Sequence, residues 1–285
     1  MSTPNEDSWI QVAEFKSSSQ LDDIEQFLNQ HNIEHQWHKN ANSYSLWLRS
    51  EDDARRVYEF LDNSWPLSVL AFLKTQSAKT SRSLFSLIPI TLSILLLCSL
   101  IFLLDWLQFQ AVYDYLMFAP LADINQTHQW WRLFTPALMH AGIFHIVFNM
   151  LWTWELGARI EYSLGTRNCL LIVVISGVFS NLLQYAVSGS VYFLGYSGVV
   201  YAYLGFLWIY GKSNNAKILQ LPDRTYYFMF IWLALGVFGL IDWLLPGNAK
   251  VANGAHVGGW VMGMVLAKLY IGFDKRSARP PSAGA

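Results

Sequence analysis

Hydrophobic and polar positions divide the chain sharply near residue 83. Residues 84–104 contain no charged side chain and are long enough to cross the hydrocarbon core of a bilayer. Five further apolar segments follow, at about residues 143–160, 169–187, 193–210, 226–245 and 253–272. The pattern predicts an all-α polytopic membrane protein, in which residues 83–273 form six transmembrane helices and residues 274–285 form a tail.

The part of the chain before residue 83 has the patterning of a small soluble domain. Alternating residues predict strands, and residues at helical spacing predict helices, in the order βαββα. The predicted elements are a strand at 9–15, a helix at 20–32, strands at 34–39 and 43–49, and a helix at 51–63. Residues 1–65 are therefore predicted to form an α+β domain, and residues 66–82 a linker.

Composition supports a membrane protein. The chain is 53% hydrophobic and 14% charged, whereas soluble domains carry about 25% charged residues. The formal net charge of −1 gives no general bias toward nucleic acid or acidic partners. The two cysteines, Cys98 and Cys169, lie in apolar surroundings and do not form a disulfide framework.

Lysine and arginine residues predict the orientation of the spans, because cytoplasmic loops are enriched in them. If the N-terminus is cytoplasmic, the inner segments carry eleven such residues and the outer segments carry two, Arg132 and Lys250. The eleven are Lys74, Lys79, Arg82, Arg159, Arg167, Lys212, Lys217, Arg224, Lys275, Arg276 and Arg279. Both termini are therefore predicted to be cytoplasmic.

Four polar residues lie at similar depths in three of the predicted spans. With both termini inside, spans two, four and six run from the outer to the inner face. His145 and Asn149 lie in the first two turns of span two, Ser197 about one turn into span four, and His256 about one turn into span six. At 1.5 Å rise per residue, all four lie within roughly 10 Å of the outer boundary. Because polar side chains are costly in lipid, the shared depth points to a functional site inside the bundle.

Glycines lie on both sides of Ser197 and also follow His256. Gly195 and Gly198 flank Ser197, while Gly259 and Gly263 have the small-xxx-small spacing that permits close helix approach. Such an approach would bring the Ser197 hydroxyl within hydrogen-bonding reach of His256. A single serine or glycine is more often ordinary membrane packing, so the interpretation depends on the combination.

Zinc binding is the alternative chemistry, because four histidines lie on the outer side: His128, His140, His145 and His256. His140 and His145 are five residues apart, about 140° around a helix, and the chain contains no HExxH sequence. His145 and Asn149 share a helix face, and asparagine is a poor transition-metal ligand but a good donor to an oxyanion. No metal and no cofactor are therefore predicted.

Four motifs resemble those of the rhomboid family of intramembrane serine proteases, most of all the bacterial GlpG type. They are WR at 131–132, ALMHAGIFHIVFN at 137–149, GYSG at 195–198 and ANGAHVGG at 252–259. The motif resemblance covers residues 130–272, and the βαββα domain more weakly resembles the cytoplasmic domain of that type. Pro136 departs from close relatives, which often have a histidine there, and it affects the expected contacts of the outer loop.

The resemblance implies a role for each of these residues. Ser197 would be the nucleophile and His256 the general base and later the general acid. His145, Asn149 and the Ser197 backbone N–H would form the oxyanion hole. Tyr201 would pack on the catalytic imidazole, and Arg132 and Glu161 would brace the outer loop. The family uses a dyad, so Asp242 is expected to be an interfacial carboxylate rather than a third member.

The function implied by the resemblance is that of a serine endopeptidase of the cell inner membrane. It would cleave transmembrane protein substrates near the periplasmic face, with span five and residues 246–252 as the gate. The partners are these substrates and the bilayer, without nucleic acid. A proteolytically silent relative that escorts membrane proteins is disfavoured, because serine and histidine are both present. A transporter is disfavoured because no internal repeat is found.

Overall fold

A computed structural model describes residues 9–15, 21–40, 43–62, 83–213, 217–244 and 250–277, together with 69–70, 73–74, 77 and 80–81. The chain divides into two compact units, Met1–Ala71 and Phe72–Ala285. The division falls within the segment predicted as a linker. Residues 245–249, most of the predicted gating loop, and residues 278–285 of the tail lie outside the described part.

The N-terminal unit has the predicted order of elements. These are β1 (Ile10–Phe15), α1 (Leu21–Gln30), β2 (His35–Asn40), β3 (Ser43–Leu48) and α2 (Glu51–Asp62). The strands form an antiparallel sheet in the order β1-β3-β2, with a register shift between Gln11 and Ala13. Leu28, Leu46 and Val57 are fully buried in its core. One apolar face of the sheet and the apolar stripes of two helices explain this small α+β unit.

The second unit is helical in its described residues. Its α-helices are α3 (Leu84–Leu87), α4 (Pro89–Trp106), α5 (Ala111–Leu116), α6 (Leu121–Thr127), α7 (Ile143–Trp152), α8 (Ala158–Leu164), α9 (Thr166–Ser188), α10 (Ser197–Ser213), α11 (Asp223–Val237), α12 (Leu240–Leu244) and α13 (Asn253–Ser277). A π-helical turn at Thr153–Gly157 joins α7 to α8. Short 3-10 turns occur at Trp130–Leu133, Thr135–Leu138 and Lys217–Leu219.

The apolar helices suit a membrane. Three of those described are long and apolar enough to cross one: Pro89–Trp106, Thr166–Ser188 and Asn253–Phe273. Helix α9 shows the pattern clearly, since Val174 and Ile175 are exposed while Ser176 and Ser180 are buried. Apolar side chains outside and polar side chains inside are what a lipid environment favours.

The fourth predicted span begins later than expected. The sequence predicts a helix from residue 193, with Ser197 one turn inside it, but α10 begins at Ser197 itself. Residues 193–196 are not helical: they end in a turn at Tyr196, with Phe193 and Tyr196 buried and Gly195 at a φ of 122°. Hydropathy cannot distinguish these four residues from helix, because an apolar loop buried in protein has the same composition.

Helix α10 lies at the centre of the unit, with most of its residues buried. It packs against α13 with backbone nearly touching backbone. A Cβ atom at Gly259 would lie 1.9 Å from the Gly198 carbonyl oxygen, and one at Gly263 would lie 2.0 Å from the Ala202 carbonyl oxygen. The small-xxx-small spacing in α13 therefore marks the face that contacts α10.

Candidate active site

The close packing of α10 and α13 brings Ser197 and His256 together. The distance from Ser197 Oγ to His256 Nε2 is 2.7 Å, within the range of a strong hydrogen bond. His256 is buried, whereas Ser197 is partly accessible. A hydroxyl bonded to an imidazole in this way can transfer its proton as it attacks an electrophile.

The turn before α10 exposes the backbone of Ser197. Gly195 has a positive φ, and its N–H donates to the Pro136 carbonyl at 3.0 Å. The first helical hydrogen bond of α10 joins Val200 N to Tyr196 O. The Ser197 N–H therefore has no partner within its own helix and forms part of the positive end of the helix dipole. Pro136, the departure from the family pattern, supports this turn through its carbonyl.

His145 lies beside the same turn. A Cβ atom at Gly195 would lie 2.5 Å from His145 Nε2, so only glycine leaves room for the imidazole. The Ala141 N–H donates to His145 Nδ1 at 3.4 Å. Because a backbone N–H can only donate, Nδ1 is the acceptor, and in the neutral ring Nε2 carries the proton. His145 thus presents an N–H donor next to the segment that carries Ser197.

Asn149 is buried one turn after His145 on α7. Its Nδ2 donates to the His145 carbonyl at 3.0 Å. An amide nitrogen has two hydrogens, so the second remains available to an oxyanion. The backbone N–H of Ser197 and the side chains of His145 and Asn149 together supply donors of the kind that stabilise a developing negative charge.

Tyr201 contacts the imidazole of His256. Their ring centroids are 4.8 Å apart, with an interplanar angle of 36°. The Tyr201 hydroxyl donates to the Met229 carbonyl on α11 at 3.0 Å. Tyr201 therefore touches the site with its ring and a neighbouring helix with its hydroxyl.

Gly198 is also essential to the packing of the site. A Cβ atom there would lie 2.7 Å from the Cβ of Ser180 on α9. Helix α9 thus packs directly against the turn of α10 that carries Ser197. The glycines predicted at 195, 198, 259 and 263 all have this kind of close contact with a neighbouring side chain or backbone.

Sequence reasoning missed Gln184 on α9. Its Oε1 accepts a hydrogen bond from the Ala255 N–H at 3.1 Å, in the first turn of α13. A Cβ atom at Gly254 would lie 2.8 Å from the same oxygen. Gln184 therefore caps the helix that carries His256. An amide inside a predicted span is the signal that could have identified it.

Arg132 and Glu161 act at different places. Arg132 donates to the carbonyls of Asp114 and Met117 inside the segment 105–142, as a brace of the outer loop would. Glu161 does not contact that segment. Its carboxylate accepts from the N–H groups of Ile90 and Thr91 and from the Thr91 hydroxyl, at 2.7–2.8 Å. The expectation for Glu161 was wrong, because the carboxylate binds the unpaired N–H groups at the start of α4.

Asp242 is not bonded to His256. Its Oδ1 accepts from the Val251 N–H at 2.6 Å, which fixes the backbone just before α13. His256 Nδ1 has no hydrogen-bond partner in the described part of the chain. The imidazole is instead oriented by the Ser197 hydroxyl and the Tyr201 ring.

The histidines do not assemble into a metal site. His128 is exposed at the C-terminal end of α6, in the left-handed conformation. His140 is buried, with its ring centroid 5.1 Å from that of His145. Across the described ranges, no group of three or more histidine, cysteine, aspartate or glutamate side chains is placed to hold a metal ion.

Comparison with known proteins gives one consistent result. A family model described as "Rhomboid domain" matches residues 127–273. The Rhomboid protease GlpG of Photorhabdus laumondii is 35% identical over 179 residues, which are 63% of this chain and 60% of that protein. The Rhomboid protease GlpG of Pectobacterium atrosepticum is 33% identical over 238 residues, or 78% of this chain and 83% of that protein. The Klebsiella pneumoniae protein of the same name is 34% identical over 239 residues, with the same coverage.

Proposed function

The chain belongs to the rhomboid family of intramembrane serine proteases, of the bacterial GlpG type, and we propose that it cleaves transmembrane segments of membrane proteins through a Ser197–His256 dyad. Cleavage takes place near the periplasmic face and proceeds through an acyl-enzyme. The 2.7 Å hydrogen bond between Ser197 Oγ and His256 Nε2 carries this proposal.

In the first step, Ser197 Oγ attacks the carbonyl carbon of the scissile peptide bond. His256 Nε2 takes the hydroxyl proton as the new C–O bond forms, because a serine hydroxyl is a weak nucleophile without a base. The imidazolium then gives this proton to the leaving amine, and the C–N bond breaks. Water attacks the resulting ester with His256 again as the base, which releases the new carboxyl end and restores the serine.

The carbonyl oxygen becomes negatively charged during both steps. Two donors are available to this oxygen. They are the Ser197 N–H at the start of α10 and the His145 Nε2–H beside Gly195. The Asn149 amide supplies a third. Loss of one such donor typically costs about 3–4 kcal/mol of transition-state stabilisation.

A third acidic residue is not needed to hold His256. The ring face of Tyr201 and the serine hydroxyl restrict the imidazole on two sides. The neutral form of the imidazole accepts the proton that the serine hydroxyl releases. This is the dyad chemistry that the family resemblance implies.

The protein is proposed to cross the cell inner membrane six times. Both of its termini then lie in the cytoplasm. Three helices alone satisfy the length and hydropathy of a full span among the described residues. The other three spans are α7 with the π-turn and α8, then α10, then α11. The excess of lysine and arginine on one side supports the orientation.

Substrates enter beside α11. This helix carries exposed apolar side chains, among them Tyr227 and Ile231. It contacts α7 through two ring pairs, Trp152 with Phe228 at 5.9 Å and Phe148 with Trp232 at 6.2 Å. Contacts between side chains separate more easily than the backbone contacts of α10 and α13. The family resemblance implies small residues at the cleaved bond. The tight packing around Gly195 and Gly198, where a Cβ atom would lie within 3 Å of a neighbour, is consistent with a narrow site.

The proposal is tested with purified full-length protein in detergent or lipid, using a model transmembrane substrate and a fluorophosphonate probe. Ser197→Ala is expected to abolish both cleavage and labelling, and His256→Ala to reduce cleavage by about a thousandfold or more. Labelling that persists in Ser197→Ala would remove Ser197 from its role.

Matched control variants are available. Ser99 is a membrane-helix serine whose hydroxyl donates to the Leu95 carbonyl of its own helix, at 2.7 Å. His128 is exposed at the end of α6. Ser99→Ala and His128→Asn are expected to cleave at the wild-type rate, so a loss of cleavage in either would point to general destabilisation.

A further inference from the structure

His140 is a buried histidine to which the proposed reaction assigns no role. It lies just before α7, and its exposed fraction is 3%. Neither ring nitrogen has a hydrogen-bond partner in the described part of the chain. Burial, and to a smaller extent the neighbouring His145, lower the pKa of His140 to about 3, so its ring is neutral. A buried polar group without a partner destabilises a protein, so its presence needs an explanation.

The contact that His140 does make is with His145. Their ring centroids are 5.1 Å apart and the planes meet at 64°, an edge-to-face arrangement. His140 therefore packs directly on the imidazole that carries a proposed oxyanion donor.

Three contacts together restrict the His145 ring. The Ala141 N–H holds Nδ1, the Gly195 backbone lies against Nε2, and the His140 ring packs on the imidazole. The first contact selects the tautomer with a proton on Nε2, and the other two oppose rotation of the ring. At 3.4 Å the Ala141 hydrogen bond is long, so it restrains the ring only weakly by itself.

We propose that His140 is a positioning residue that holds His145 with its Nε2–H directed at the oxyanion. The proposal rests on the proposed function of the same site. A phenylalanine would fill the same space and pack edge-to-face without the cost of two unpaired nitrogens. What the imidazole adds is a dipole beside the His145 ring, which favours its polarisation as negative charge develops on the substrate oxygen.

The test is a set of three substitutions in the full-length protein. His140→Phe and His140→Leu both remove the ring nitrogens while keeping apolar volume. His140→Gln keeps a polar group. The measurements are kcat, KM, the unfolding temperature, and the 15N chemical shifts of His145, which report its tautomer.

For the two apolar variants we expect kcat to fall by about tenfold, a fraction of the hundredfold or more that a lost oxyanion donor costs. KM should stay within about twofold, since ground-state binding is unchanged. The unfolding temperature should stay constant or rise, because an unpaired polar group has been removed. The Nε2–H signal of His145 should weaken, and the glutamine variant should recover part of kcat.

Two results would overturn the proposal. One is a folded apolar variant with kcat within about twofold of the wild type. The other is a loss of kcat that follows loss of folded protein, with glutamine no better than phenylalanine or leucine; His140 would then be a packing residue. If one apolar variant does not fold, the other decides.

Failure of this inference can be told apart from failure of the proposed function. A wild-type protein that neither cleaves a transmembrane substrate nor reacts with fluorophosphonate at Ser197 would contradict the protease proposal itself. A wild-type protein that does both, beside an equally active His140→Phe variant, would contradict only the role of His140.

Discussion

The two sides of the site are built differently. On one side, α10 and α13 meet through backbone: a Cβ atom at Gly259 would lie 1.9 Å from the Gly198 carbonyl. On the other side, α11 meets its neighbours mainly through rings, as between Trp208 and Phe230 at 5.2 Å and between Phe148 and Trp232 at 6.2 Å. Backbone contact fixes the distance between α10 and α13, because neither backbone can move aside. Rings in contact can slide past each other and change rotamer, so they fix the distance between helices less closely.

This difference assigns separate tasks to the two sides. A dyad needs its atoms held within a fraction of an ångström, which the glycine interface between α10 and α13 provides. Entry of a substrate needs a helix that can move, and α11 has few buried residues and large exposed ones. Tyr201 belongs to both sides, since its ring contacts His256 and its hydroxyl donates to the Met229 carbonyl on α11.

Among the changes that test this comparison of the two sides, the largest expected effect comes from forcing the glycine interface apart. Gly259→Val places a branched side chain against the Gly198 carbonyl, so α10 and α13 must separate and the dyad distance must grow. A shift of about 1 Å can cost about a hundredfold in rate, and we expect at least that loss in cleavage of a transmembrane substrate. The unfolding temperature should also fall.

Gly272→Ala is the matched control for this change. Gly272 lies in the same helix, and a Cβ atom there would have no atom within 4 Å. Cleavage by Gly272→Ala should equal that of the wild type. If Gly259→Val also cleaves normally, the close approach of α10 and α13 is not what holds the dyad.

An intermediate effect is expected at Tyr201, where the two sides meet. Tyr201→Ala removes the ring from His256, and since an aromatic pair is worth about 1 kcal/mol, kcat should fall by up to about tenfold. Tyr201→Phe keeps the ring and loses only the hydrogen bond to α11, so kcat should stay within about threefold of the wild type. Steady-state cleavage of both variants measures the difference. Equal losses would mean that the tie to α11 matters as much as the ring.

The smallest effect is expected on the side of the site formed by α11. Trp232→Val removes the ring contact with Phe148 and loosens α11 from α7. If opening limits substrate entry, cleavage of a transmembrane substrate should rise by about two- to threefold. Labelling of Ser197 by a small fluorophosphonate should not change. Tyr227→Val, an exposed change on the same helix, is the control and should have no effect on cleavage.

Several details of the site were not predictable from the sequence. Ser197 was expected one turn inside a helix, but it is the first residue of α10, because the four residues before it are not helical. Glu161 was expected beside the outer loop, but its carboxylate binds the N–H groups at the start of α4. Gln184 was not noticed, and it accepts from the Ala255 N–H. Each of these depends on a partner 70 or more positions away or on a backbone turn, which local composition does not reveal.

Hydropathy predicted the long apolar segments and how far along each one its polar residues lie, although it placed the start of α10 four residues too early. Those properties follow from hydropathy and from the fixed rise of a helix, so they depend only on residues close together in the sequence. That α10 and α13 are neighbours, with 2.7 Å between Ser197 Oγ and His256 Nε2, became known from the folded structure alone. The physical reason is that this separation is set by contacts between atoms far apart in the chain, above all the missing Cβ of Gly259 against the carbonyl of Gly198.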